Sequence, residues 1–137
     1  MLKNAIDKSP RKIQYTRLES WAMPGVPDIL ICDETGRFHF IELKATGGNA
    51  VELRPHQVSW LSRHAHASTW IFVRRSATRD PRTKVQREDE YYLYRGEDAM
   101  DVKFEGLEKK PVLFYEKAMD WDAMFEVICP NVSRETS

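Results

Sequence analysis

Two carboxylates and one amine occur in a stretch of the chain whose other side chains are mostly apolar. The segment GVPDILICDETGRFHFIELK has Asp28 near its beginning and Glu42 and Lys44 at its end. Carboxylate oxygens are preferred ligands of hard divalent cations such as Mg²⁺. A lysine beside such a cation adds positive charge, which suits a phosphate group under attack by water. These residue types indicate metal-assisted phosphate chemistry, provided that the fold brings the three side chains together.

A β-hairpin would bring them together. The sequence DETGR predicts a three-residue loop in which Gly36 adopts a left-handed conformation, and this loop fixes the register so that Asp28 faces Glu42. Directly opposed residues on antiparallel strands have Cβ atoms about 5 Å apart. Two carboxylates at that distance repel each other, and a divalent cation between them would remove the conflict. On spacing alone, a cluster of surface charges at the end of a sheet is an equally good interpretation.

The same register divides the hairpin into two faces. Asp28, Glu42 and Lys44 share one face with four apolar or sulfur-containing residues: Leu30, Cys32, Phe38 and Phe40. The opposite face carries Ile29, Ile31, His39, Ile41 and Leu43. Because both faces are apolar along their middle, we expect this strand pair to be covered on both sides.

The rest of the chain alternates strand and helix patterns. Further strands are predicted at residues 12–20, 68–75, 90–95 and 111–115, and helices at 54–67, 96–107 and 120–128. Residues 75–89 form a polar, basic loop. We therefore expect an α/β (α+β) fold with one mixed sheet flanked by helices. The prediction is a single domain spanning residues 1–137, with a core at about 13–75 and a C-terminal strand and helix addition at 88–137.

Composition bounds the class of protein. Of the 137 residues, 42% are hydrophobic and 31% are charged, and no apolar run is long enough for a transmembrane helix. The N-terminal residues lack the apolar core of a signal peptide. The two cysteines, Cys32 and Cys129, are far apart and belong to no C-x-x-C pair, so we expect reduced thiols in an intracellular, cytoplasmic protein.

Charge is unevenly distributed, although the net charge is zero. Residues 54–87 contain eight basic residues and one acid, whereas residues 88–137 contain six basic residues and thirteen acids. A basic segment of this size suits a polyanion such as DNA, and a merely solvated basic loop is the alternative. The acidic C-terminal part could contact a second copy of the chain or screen the basic groove.

Four short motifs then resemble a known family. Pro27-Asp28 followed by Glu42-x-Lys44 resembles the signature of PD-(D/E)XK nucleases. The chain is similar to the VRR-NUC branch in the order of four motifs: GVPD, IELK, a helix bearing Gln57, and the tripeptide VRR at residues 73–75. That branch includes small phage and bacterial Holliday-junction resolvase-like nucleases. The resemblance covers about residues 13–75 and implies a restriction-endonuclease-like core.

The resemblance also implies roles for individual residues. Asp28 and Glu42 would hold Mg²⁺ or Mn²⁺, and the backbone carbonyl of Leu43 would add a ligand. Lys44 would position the attacking water or stabilise the transition state. Gln57 would orient the site or contact a phosphate group.

Two further groups of residues complete the expected site. The family usually supplies another acid from an N-terminal helix, for which Glu19 is the first candidate here and Asp7 the second. Phosphate contacts with DNA are expected from basic residues that bracket the site in sequence, namely Arg54, His56, Arg74 and Arg75.

The leading hypothesis is therefore a hydrolase, a Mg²⁺- or Mn²⁺-dependent endodeoxyribonuclease. The resemblance implies branched DNA as substrate, a homodimer with two sites and an origin in a phage acting in its host cell. A DNA-binding module that does not cut and a viral interaction protein are the alternatives, and RNA stays open as a substrate. The four histidines show no H-E-x-x-H or cysteine-paired pattern, so the sequence predicts no zinc site.

Overall fold

The computed structural model describes residues 1–18, 23–79 and 81–130. In chain order these residues form α1 (Leu2–Lys8), β1 (Gln14–Arg17), β2 (Ile29–Cys32), β3 (Phe38–Thr46), α2 (Pro55–Arg63), β4 (Thr69–Arg75), β5 (Glu90–Arg95), α3 (Ala99–Glu105), β6 (Leu113–Glu116) and α4 (Trp121–Ile128). Single turns of 3₁₀-helix, Gly96–Asp98 and Gly106–Glu108, flank α3.

The strands form one mixed sheet whose spatial order follows the chain from β1 to β6. Strands β3 and β4 run parallel and are connected through α2, while the other neighbouring pairs are antiparallel. A parallel pair needs a crossover of this kind, and a helix usually supplies it. The predicted mixed α/β fold, with one sheet flanked by helices, is confirmed.

The predicted hairpin register is also confirmed. Ile29 lies opposite Ile41 and Cys32 lies opposite Phe38, as the three-residue loop requires. Gly36 has a φ of +86°, the left-handed conformation that glycine adopts without a Cβ clash. The Asp33 side chain accepts hydrogen bonds from Thr35 and from the backbone of Arg37, which holds the loop in place.

Two apolar cores lie on opposite faces of the sheet. On one face, α1 and α4 pack on the strands, and this core includes the buried side chains of Ile29, Ile31, Ile41, Phe72 and Leu93. On the other face, α2 and α3 cover β4 and β5, and this core includes Ile71, Val73, Tyr92 and Tyr94. Glu42 and Lys44 point to this second face, beside the start of α2.

Two expectations about these faces need correction. The sequence predicts no helix before β1, yet α1 occupies Leu2–Lys8 and buries Leu2 and Ile6. The hairpin is also not covered evenly. Phe40 packs against Trp60 of α2, but Phe38 is 59% exposed because α2 does not extend over the turn of the hairpin.

Strand and helix bounds agree with the prediction to different degrees. Strand β5 occupies Glu90–Arg95 as predicted, whereas β1 is shorter than the predicted 12–20. Helix α2 begins with Pro55, as expected, and ends at Arg63 rather than residue 67. None of the helices in the described parts of the chain is long and apolar enough to cross a membrane.

Candidate active site

The open end of the hairpin brings Asp28 and Glu42 together. Asp28 immediately precedes β2, and the Leu43 N–H donates a hydrogen bond of 3.0 Å to its Oδ2 atom. This bond holds the Asp28 carboxylate against β3, beside Glu42. The Glu42 residue is only 2% exposed, so its carboxylate lies inside the protein next to another carboxylate.

The electrostatics of Glu42 are correspondingly unusual. Burial and then the negative charge of Asp28 raise the pKa of Glu42 to about 7, although the nearby Lys44 acts in the opposite direction. With such a pKa, the ionised form of the Glu42 carboxyl group is less favourable in the metal-free protein than in water. A cation placed between the two carboxylates would reverse this preference.

Gln57 joins the helix α2 to this pair. It is the third residue of α2, and its Nε2 donates to Glu42 Oε2 at 3.1 Å. Its Oε1 accepts from Lys44 Nζ at 3.1 Å and from the Arg54 N–H at 2.9 Å. Lys44 Nζ also lies 3.5 Å from Glu42 Oε2. One amide side chain therefore fixes the positions of the buried acid, the lysine and the helix N-terminus.

A close contact between two segments shapes the entrance to the site. Gly25 has a φ of +89°, and a Cβ atom built on it would lie 2.4 Å from the His56 carbonyl oxygen. Only glycine allows the chain before Asp28 to approach α2 so closely. Together these segments line a cleft of about 610 Å³ that contains Asp28, Glu42, Leu43, Lys44 and Gln57.

Leu43, whose backbone carbonyl is a predicted metal ligand, lines the cleft. The Asp33 N–H donates a backbone hydrogen bond to the Arg37 carbonyl, so alternate pairs along this register are the bonded ones. Continuing the register to the open end places Leu43 opposite Pro27. Proline has no N–H, so the partner that would normally occupy the Leu43 carbonyl is missing on this side. The Pro27-Asp28 pair therefore supplies one carboxylate and leaves the position opposite Leu43 without an N–H donor.

The predicted DNA-binding residues fall into two groups. Arg54 and His56 are exposed and line the cleft at the start of α2. Arg74 and Arg75, at the end of β4, are not among the cleft-lining residues. Arg74 is paired with Asp89 at 2.8 Å, and Arg75 is paired with Glu90. For all four residues, contact with DNA stays a prediction.

The structure does not bring Asp7 to the site. Asp7 lies on α1, where it forms an exposed ion pair with Lys3 at 2.9 Å, and α1 packs on the face of the sheet opposite Glu42. Glu19, the first candidate for a third acid, lies outside the described residues.

The basic segment of the sequence lies close to the same end of β3. Arg87, from the loop between β4 and β5, donates a hydrogen bond of 3.0 Å to the carbonyl of Gly47, immediately after β3. Gly47 and this loop, which includes Arg79 and Arg82, line a second cleft. The loop therefore adds positive charge next to the strand that carries Glu42 and Lys44.

A second cluster of possible metal ligands is not predicted from the sequence. Asp33, His39 and Cys129 lie together on the other face of the sheet, with their possible ligand atoms all within 4.8 Å of one another. Burial raises the pKa of the Cys129 thiol to about 12. Cys129 is about 90 residues away from its two neighbours in sequence, so no local spacing pattern could have revealed the group.

Comparisons of the chain with protein families, with curated proteins and with solved structures gave no match. The resemblance to PD-(D/E)XK nucleases therefore depends on the motifs alone. The geometry stands independently of it: two adjacent carboxylates, a lysine and a glutamine face one cleft, which is a donor set for a hard divalent cation and an anionic substrate.

Proposed function

We propose that this chain is a Mg²⁺- or Mn²⁺-dependent nuclease that hydrolyses phosphodiester bonds in DNA. The observation that carries the proposal is the pairing of Glu42, buried and directly beside Asp28, with a lysine held 3.5 Å away by Gln57. A structural role gives no reason to bury Glu42 beside the partly buried Asp28, because the repulsion between the two carboxylates opposes folding.

The residues fit a hard divalent cation. Asp28 and Glu42 supply carboxylate oxygens, the usual protein ligands of Mg²⁺, and the Leu43 carbonyl is a further candidate. When bound, the cation would polarise the phosphate and lower the pKa of the attacking water. A cation would also offset the burial and the Asp28 charge that make ionised Glu42 unfavourable, so binding and ionisation support each other.

Lys44 supplies the remaining positive charge. Gln57 and Glu42 hold its ammonium group at the edge of the cleft, where it can stabilise negative charge that develops on the phosphate. In the proposed reaction, water adds to phosphorus and one P–O bond breaks, which leaves a phosphate monoester and a hydroxyl end. The ammonium also orients the water, while the Gln57 amide keeps the ammonium in place.

The surroundings of the cleft suit a nucleic acid. Arg54 and His56 lie at its rim, at the N-terminus of α2, where backbone N–H groups favour anions. The basic loop between β4 and β5 extends the positive surface beyond Gly47. We propose DNA as the substrate, with the phosphate backbone recognised at these positions.

Two finer features belong to the same proposal. Branched DNA would be the preferred substrate and a homodimer the active form, because two symmetric cuts at a four-way junction need two sites. The place of action would be inside a cell, a setting that fits the free thiols of Cys32 and Cys129.

A cleavage assay tests this proposal. The purified protein is incubated with four-way, flap, single-stranded and linear duplex DNA, and with a matched RNA, in Mg²⁺, Mn²⁺ or EDTA. We expect metal-dependent cutting that disappears in Asp28→Asn and persists in Glu52→Gln, a charge-matched change at an exposed glutamate. Binding without cutting in every metal would instead indicate a DNA-binding module. Neither binding nor cutting would indicate an interaction protein, and either result overturns the proposal.

A further inference from the structure

The cluster on the face opposite Glu42 contains three different kinds of metal ligand. Asp33 follows β2, His39 lies in β3 and Cys129 follows α4, so the hairpin and the last described helix both contribute. Their exposed fractions are 5%, 4% and 0%, respectively. The nuclease proposal uses none of them.

The three side chains are already arranged around one point. His39 Nε2 lies 2.8 Å from Asp33 Oδ2, and the Cys129 sulfur completes a group in which one ligand atom from each residue lies within 4.8 Å of the other two. A tetrahedral ion bound by nitrogen, oxygen and sulfur needs ligand atoms that converge in this way. Small side-chain movements would be enough to close the group around an ion.

We propose that Asp33, His39 and Cys129 form a second metal site, which binds Zn²⁺ or a similar borderline-soft divalent ion. Thiolate and imidazole select such ions, whereas Mg²⁺ prefers oxygen ligands alone. One carboxylate and one thiolate balance the two positive charges of the ion, which matters because a net charge is unfavourable at a buried site.

The hydrogen bonds around His39 are compatible with this role. In the metal-free protein, Nε2–H donates to the Asp33 carboxylate, and Nδ1 contacts Ser68 Oγ at 2.6 Å. On binding, Nε2 would take the metal while the ring hydrogen moves to Nδ1 and is donated to Ser68. The Cys129 thiol would release its proton to solvent. Ser68 Oγ also accepts from Trp70 Nε1 at 2.9 Å, and its two lone pairs allow both bonds.

The segment that carries Cys129 is held in position by a second contact. The Arg11 guanidinium donates to the carbonyl oxygens of Phe125 at 3.1 Å and Cys129 at 2.7 Å, and it also pairs with Glu34 of the hairpin loop. These bonds fix the end of α4 beside the hairpin before any ion binds. A preorganised site of this kind loses little conformational freedom on binding.

A cleft reaches the cluster at His39. His39 lines a cleft of about 560 Å³ together with Ile128 and Pro130, on either side of Cys129. Water from this cleft would supply the fourth ligand. The bound ion would link the end of α4 to the hairpin, and its effect would therefore be on stability rather than on cleavage at Glu42.

Cobalt spectroscopy tests this proposal, because a Co²⁺–thiolate bond gives a near-ultraviolet charge-transfer band that oxygen ligands do not give. Cys32 and Cys129 are the two cysteines in the sequence, so Cys32→Ala is a matched control for Cys129→Ala. We expect the band in the wild type and in Cys32→Ala, its loss in Cys129→Ala and its displacement by Zn²⁺. His39→Gln should weaken the apparent affinity for Co²⁺ more than tenfold, whereas His66→Gln, at an exposed histidine, should not change it.

Several results would overturn the proposal. These are no band in the wild type, a band that disappears in Cys32→Ala, or a band that persists in Cys129→Ala. The Cys32→Ala protein keeps the test decisive even where Cys129→Ala fails to fold, because any band it shows must come from Cys129. Zn²⁺ should also raise the melting temperature of Cys32→Ala by several degrees, and no change would contradict the stabilising role.

Discussion

Replacement of the buried Glu42 by glutamine should abolish the proposed activity and at the same time increase the stability of the fold. The pKa of Glu42 is raised from 4.5 to about 7, mainly by burial and by the charge of Asp28. The folded protein therefore keeps a proton that the unfolded chain releases between these two pH values. The contribution of protonated Glu42 to the free energy of unfolding is fully present below pH 4.5 and is lost as the pH rises through about 7.

The size of the effect follows from the pKa difference. Each pKa unit corresponds to about 1.4 kcal/mol, so ionised Glu42 lowers the free energy of unfolding by up to about 3 kcal/mol at high pH. Glutamine has nearly the same shape as glutamate and no charge. We therefore expect Glu42→Gln to be up to about 3 kcal/mol more stable than wild type well above pH 7, and nearly equal to it at low pH. For a domain of this size that is roughly 10 °C in melting temperature.

The assay is thermal unfolding by circular dichroism across this pH range, first in EDTA and then in excess Mg²⁺. Glu52→Gln, at an exposed position, serves as the control and should show no such pH-dependent gain. Mg²⁺ should stabilise the wild type and leave Glu42→Gln unchanged, because an ion that binds only the folded state raises its stability. If Glu42→Gln melts below the wild type at every pH in EDTA, the electrostatic reasoning is wrong.

Three further predictions address the cleft. Gln57→Ala should reduce metal-dependent cleavage at least tenfold, because Lys44 loses the hydrogen bond that holds it in place. DNA affinity measured in Ca²⁺ should be unchanged. Equal losses of affinity and cleavage would contradict this role. Gly25→Ala should lower the free energy of unfolding, measured by urea denaturation, by about 1–3 kcal/mol, because the new methyl group would clash with the His56 carbonyl. An unchanged denaturation midpoint would show that the contact is absent. Arg54→Ala should reduce the magnitude of the slope of log affinity against log salt by about 1, whereas Lys110→Ala should leave it unchanged. Identical slopes for Arg54→Ala and wild type would contradict a phosphate contact at Arg54.

The part of the site that could be predicted from the sequence is the part set by local geometry. The loop with Gly36 fixes the hairpin register, and the register alone places Asp28 beside Glu42. Pro55 marks the first turn of α2, which is how Gln57 could be assigned to a helix N-terminus. In each case the spacing along the chain determines the spacing in the fold.

Features that depend on distant contacts could not be predicted. The short helix α1 has little amphipathic signal of its own and is stabilised by packing Leu2 and Ile6 on the sheet. Similarly, the pairing of Arg74 with Asp89 depends on the alignment of β4 with β5 across a long loop. The grouping of His39 with Cys129 requires α4 to return to the hairpin.

The central claim is that Asp28 and Glu42 hold one divalent cation. Crystals soaked in Mn²⁺ test it most directly, through the anomalous difference map. We expect a peak between the carboxylates of Asp28 and Glu42 that is absent from crystals of Asp28→Asn. A map without a peak there, at Mn²⁺ concentrations that support cleavage, would contradict it.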